Sequence, residues 1–187
     1  MMQRVINIWA AAALVAAVAI AIVVLVVWSQ GFGSRPVPSG LEASLAMKLY
    51  DGSIPDKYDK LANPISGSRL DLIEAGGHYE EHCAVCHGDD GGGQPKFHGL
   101  MYPRPTDLRS DDTQEMSDGE LYWVVKNGVR WSGMPAFGKP GDNDEHAWKM
   151  VAYVRHFPKL TADEKQQVLE KAGESMDHGG SPHNHSQ

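Results

Sequence analysis

The sequence predicts an all-α protein, with one apolar helix able to cross a membrane followed by a small domain of four to five helices joined by long loops. Three observations predict it. Residues 5–28 carry no charge. Downstream, apolar residues recur at helical spacing in segments flanked by Ser, Thr, Gly or Pro. Strand-like alternation is nearly absent. The 187 residues suffice for one modest core with appendages. With 17 basic against 24 acidic residues the formal charge is −7, which disfavours nucleic acid and anionic lipid surfaces as partners.

Taken in order, residues 5–28 would form a helix of about 36 Å, against a bilayer hydrocarbon core of about 30 Å. Trp9 and Trp28 mark its ends, where indoles favour the membrane interface. A cleaved signal peptide fits less well. Its apolar region is shorter, about 7–15 residues, and Trp28 to Phe32 offers no small-x-small cleavage site. Residues 29–69 read as a linker and strap. Gly, Pro and Ser dominate 29–40, a short helical pattern covers 41–50, and Pro55 and Pro64 punctuate an extended run over 51–68.

The domain proper is expected over 70–160. A helix is predicted from Leu70 to Cys83, with Gly76 and Gly77 inside it marking the close approach of another backbone. Residues 88–118, rich in Gly, Pro, Asp and Ser, read as loop. Ser117 and Glu120 form a capping box for a helix ending at Gly128, and a wide apolar face over His146–Phe157 predicts another, stopped before Pro158. Thr161 with Glu164 caps a C-terminal helix over 161–173. The tail 174–187 is too polar to bury and reads as disordered.

The only two cysteines, Cys83 and Cys86, stand in Cys83-Ala-Val-Cys86-His87. Two thiols three positions apart project from one turn and can each add across a haem vinyl group, while the next histidine lies under the iron. A thioredoxin-type dithiol would need a βαβ setting, and a zinc knuckle a second ligand pair. Haem attachment is the reading that uses all three residues. For the sixth ligand, Met101, Met116 and Met134 remain after the anchor, upstream, core-facing and tail methionines are set aside. Gly133 and Pro135 constrain the backbone around Met134, which suits presentation of a thioether. His98 is the rival ligand. His82 reads as solvent-facing. His178, His183 and His185, with Met176 and Asp177, suggest a metal-handling tail, but nothing preorganises them and a solvated tail is the simpler reading.

Four ordered stretches then resemble class I monohaem c-type cytochromes, specifically the small domains similar to those of cbb3-type oxidases. They are Tyr79–Gly88, Tyr102–Leu108, Glu120–Arg130 and Gly133–Gly138. The resemblance implies that the N- and C-terminal helices of the domain cross beside one covalent haem c, with Tyr79 and Tyr153 near the crossing. It implies that the carbonyl of Pro103 or Pro105 accepts a hydrogen bond from His87, and that Arg104 and Arg130 steady the propionates. Ala75 stands where the family often has glycine, and Trp131 where a smaller or polar residue is common. Since haem c is attached outside the cytoplasm, the resemblance places a single-pass protein in the inner membrane with its haem domain facing the periplasm. The expected activity is electron transfer through His/Met-ligated haem rather than enzymatic turnover, as a subunit of, or donor to, a respiratory or dehydrogenase complex. A haem sensor whose Met134 is displaced by a small ligand is the alternative.

Overall fold

The computed structural model of the chain describes residues 2–31, 33–65, 67–93, 97, 99–139, 141 and 143–178, excluding the side chains of 30 and 174–178. Its elements are α1 (Met2–Gln30), α2 (Gly40–Asp51), α3 (Arg69–His82), α4 (Ala84–His87), α5 (Asp111–Gln114), α6 (Asp118–Asn127), α7 (Glu145–His156), a 3-10 turn at Phe157–Lys159 and α8 (Ala162–His178). There is no strand among the described residues, so the all-α expectation holds.

The chain divides into two compact units, Met1–Pro36 and Val37–Gln187. The first is essentially α1, of which Met2–Ser29 is long and apolar enough to cross a membrane. At about 1.5 Å per residue it is about 44 Å long, longer than the predicted span 5–28, which lies within it.

In the second unit, short-range chemistry sets the helix ends. Ser117 Oγ accepts from Glu120 N at 3.2 Å while Glu120 Oε2 accepts from Ser117 N at 2.6 Å, closing the expected capping box on α6. Thr161 and Glu164 do the same for α8, at 3.3 and 3.0 Å. A third box, Ser68 with Asp71, opens α3. It went unread because an Asp at the third position is a weaker signal than Glu or Gln. α8 differs from expectation by running through Gly173 to His178, since one exposed glycine costs a helix only about 1 kcal/mol. A short helix, α5, interrupts the predicted 88–118 loop.

Two aromatic-rich clusters fill the core. In the first, Tyr122 stacks on Trp148 with centroids 4.1 Å apart, and Tyr58 stacks on Tyr122 at 6.1 Å. Tyr58 comes from the strap, which is anchored there. Asn63 donates its side-chain amide to the Trp148 carbonyl (2.9 Å) and its backbone N–H to Asp118 (3.2 Å). The Tyr58 carbonyl lies over Gly119 so closely that no Cβ would fit.

In the second cluster Tyr79, Tyr153 and Phe157 pack ring on ring, 4.9–5.5 Å apart, where α3 meets α7. The expected Tyr79–Tyr153 crossing is therefore present. The close approach is at Gly76 alone, and side chains make it, not the expected second backbone. A Cβ on Gly76 would strike Val168 and, at 3.0 Å, the Tyr153 ring, while one on Gly77 would lie 4.0 Å from the Ala172 backbone. Ala75 is tolerated because it faces elsewhere, onto a cleft described below.

Candidate functional site

The Cys83–His87 motif follows directly from the end of α3. Cys83 ends α3 and begins α4, and its carbonyl accepts from both Cys86 N (2.9 Å) and His87 N (2.8 Å). One tight turn therefore carries two free thiols and an imidazole. Burial, then the neighbouring Cys86, pushes the Cys83 thiol up to about 12, so it is a protonated thiol at neutral pH.

His87 is half-buried, and its Nδ1 lies 3.0 Å from the Thr106 carbonyl oxygen. A carbonyl can only accept, so Nδ1 holds the proton and Nε2 keeps its lone pair. Burial also lowers the His87 pKa, against the opposing pull of that hydrogen bond, which favours the neutral, ligating form. The acceptor is Thr106, not Pro103 or Pro105. Pro103 is exposed, and the Pro105 carbonyl is turned toward Gly93 instead.

What holds Thr106 there is a network not anticipated from the sequence. Arg109 spans two loops, pairing with Asp90 at 2.8 Å and with both Asp107 oxygens at 3.0 and 3.1 Å. The guanidinium keeps the Asp107 carboxyl below the usual carboxylate range. Backbone bonds from Leu108 N to Gly91 O (2.7 Å) and from Gly93 N to His87 O (2.9 Å) close the same seam. Gly93, at φ +64°, lies so near Pro105, Thr106 and Asp107 that a Cβ would come within 2.7–2.9 Å of their backbone. Tyr79 Oη donates to Gly88 O at 2.6 Å, tying the residue after His87 to the core. The two contacts that decide the acceptor, His87–Thr106 and Arg109–Asp90, each join residues nineteen apart. The one local hint was the glycine run at 91–93.

Met134 is half-buried in a loop folded back on the C-terminal end of α6. Phe137 N and Gly138 N donate to Val125 O (3.2 Å) and Lys126 O (3.0 Å), and Val129 N donates to Met134 O (3.1 Å). Gly128, at φ +67°, accommodates Met134 and Pro135, whose backbone would be 2.6–2.7 Å from a Cβ there. Met101 packs its sulfur against Gly133, 2.9 Å from where a Cβ would stand. Met116 instead packs with the first core cluster. Trp131 is 89 % exposed at φ +61°, so its ring covers nothing among the described residues.

Beside the motif lies a cleft of about 300 Å³. Cys83 forms part of its wall, with Ala75, Val125, Phe137, Ala147 and Met150 as apolar lining, while His78, His82, Lys139, Asp144, His146 and Lys149 supply a polar and charged side. Cys86, His87 and Met134 are not among its lining residues, although Phe137 brings the Met134 loop to it. A cleft with an apolar lining and a thiol in its wall, next to an imidazole whose Nε2 is free to ligate, fits a haem c. Arg104 and Arg130 are exposed and form no ion pair among the described residues. His98, His183 and His185 lie outside the described residues, as does the His178 side chain.

Residues 72–154 match the family model described as cytochrome C oxidase, cbb3-type, subunit III. The chain is also 33 % identical over 98 residues to a thiosulfate dehydrogenase of Stutzerimonas stutzeri (strain A1501). That alignment covers 52 % of this chain and 30 % of the relative, so the chain spans under a third of that protein's length.

Proposed function

We propose that the chain is a membrane-anchored monohaem electron carrier, its residues 72–154 acting as a c-type cytochrome domain, a reading that the family match over those residues supports. Cys83 and Cys86 hold one haem c covalently, His87 and Met134 ligate its iron, and α1 keeps the domain at the periplasmic face of the inner membrane. A respiratory or dehydrogenase complex is its partner, as subunit mate or acceptor. The similarity to a thiosulfate dehydrogenase supports a redox enzyme as that partner.

The observation that carries this reading is the His87–Thr106 contact within the Cys-x-x-Cys-His turn. It fixes the ring tautomer and directs Nε2 outward as a ligand. A haem c held there supplies a one-electron ferrous/ferric couple. The chain supplies everything else. The cysteines fix position, and the Thr106 carbonyl sets imidazole basicity. The apolar lining of the cleft excludes water, and the Met134 thioether favours the reduced state. With His87 and Met134 both ligating, the chain would leave the iron no position for a substrate.

The test is spectroscopic. The purified protein is expected to show a c-type pyridine haemochrome, one haem per chain, that survives denaturing electrophoresis. Met134→Ala should abolish the weak red charge-transfer band of ferric iron–thioether bonding and open the iron to carbon monoxide, with the haem still attached. An acid-acetone-extractable haem would overturn attachment. A band that survives Met134→Ala but not Met101→Ala would move the ligand to Met101. Rapid carbon monoxide binding by the unsubstituted protein would favour the sensor alternative. Retention of α1 in the mature protein after alkaline carbonate extraction tests the anchor.

A further inference from the structure

The polar side of the cleft, to which α3 contributes His78 and His82 and α7 contributes His146, is a second constellation that haem attachment does not use. His78 and His82 stand one helical turn apart with rings stacked at 6.4 Å and planes 15° from parallel. His146, in the first turn of α7, meets His78 edge-on at 5.6 Å. All three rings are exposed, and none makes a hydrogen bond to another described residue. A three-histidine patch is poor design for solubility alone, since any protonated pair repels.

The ligand atoms of His78, Glu81 and His82 lie within 4.8 Å of one another, as do those of Glu74, His78 and His146. The two sets share His78, and their surroundings differ. Lys149 places its ammonium 2.9 Å from Glu74 Oε2 and 3.2 Å from Glu145, so a dication in the second set would meet an ammonium on its carboxylate ligand. In the first set Glu81 lies 3.7 Å from His82 Nε2, and no Lys or Arg pairs with it among the described residues. Imidazole pairs at i and i+4 with a carboxylate between them suit zinc, copper or nickel, whereas magnesium and calcium require oxygen-rich sites.

We propose that His78, Glu81 and His82 form a binding site for one divalent transition-metal ion on the polar side of the cleft. His82 directly precedes Cys83, so the ion would add positive charge beside the attachment turn. The site is independent of whether Met134 ligates iron, and its test does not rely on electron transfer.

Isothermal titration of the full-length haem protein with Zn²⁺, repeated with Cu²⁺, is expected to show one site per chain that Mg²⁺ does not compete for. His78→Ala and His82→Ala should each weaken it by at least about tenfold, as loss of one of three ligands implies. The triple variant His178→Ala/His183→Ala/His185→Ala, which strips the tail, should retain it. Unchanged affinity in His78→Ala, or loss of the site in the tail variant, would overturn the proposal. So would a site that His146→Ala destroys and His82→Ala spares, since the ion would then belong to the Glu74 set.

Discussion

The segments that hold His87 and Met134 are fastened in different ways. The His87 side has a backbone seam at Gly91 and Gly93 and, in addition, side chains that brace it. Arg109 clamps Asp90 to Asp107, Tyr79 holds Gly88, and the Thr106 carbonyl meets the imidazole. The Met134 side is fastened almost wholly by backbone hydrogen bonds to the end of α6 and by glycines that leave room for neighbours. An arrangement pinned at several side-chain points keeps its geometry when one point is lost. One that rests on glycine clearance fails when a single methyl group intrudes. On the proposed ligation Met134 would accordingly be the more exchangeable of the two, and Met101, with its sulfur against Gly133, is a thioether that could replace it.

The sharpest way to break that contrast is Gly128→Ala. Its Cβ would lie 2.6 Å from Pro135 C and 2.7 Å from Met134 O, at a φ of +67° that alanine rarely adopts. Overpacking and left-handed strain together cost on the order of 3 kcal/mol. The expected result is loss of the red charge-transfer band with the haem still covalently bound. Gly93→Ala carries a similar clash on the proximal side, and thermal unfolding should show a comparable loss. There the band should persist while the reduction potential rises, because a His87 ring parted from Thr106 is a weaker donor to ferric iron. If Gly93→Ala lost the band and Gly128→Ala kept it, the contrast would be inverted.

Smaller changes sharpen the comparison. Tyr79→Phe removes the bond to Gly88 O and should cost about 1 kcal/mol in denaturant unfolding. It should leave the spectrum nearly intact, because Arg109 and the backbone seam remain. Glu164 serves as the remote control. Hydrogen bonds from Thr161, then the His156 side chain, hold its pKa at about 2. That is below the unfolded value of about 4.3. A depressed carboxylate stabilises the fold above the unfolded pKa and loses that contribution as pH falls from about 4.3 toward 2. Glu164→Gln should flatten this part of the acid unfolding curve without moving the band or the potential.

These contrasts also explain how much was legible in the sequence. The Cys83–His87 turn, the capping boxes at Ser117 and Thr161 and the apolar α1 are local patterns, and each forms as read. Gly76 announced a close approach, though side chains of α7 and α8 make it instead of a backbone. Thr106 could not be chosen over Pro103 or Pro105, because which carbonyl faces His87 depends on a loop closed by Arg109 from nineteen positions away. Arg109 was overlooked for the same reason, while Arg104 and Arg130, named from the resemblance, lie exposed. The anchoring of the strap by Tyr58 and Asn63 was hidden too, since prolines and polar residues signal loop whether or not a loop is packed.

That anchoring sets where the domain begins. α2 buries none of its residues, but Ile54 already packs against the first core cluster and Tyr58 is buried in it. A form of the domain that begins ahead of Ile54 would keep both, with the two hydrogen bonds of Asn63. One that begins after Asn63 would take Tyr58 from Tyr122 and leave the Trp148 carbonyl without the Asn63 amide. The strap is thus the first course of the domain, and any soluble version has to be cut upstream of it.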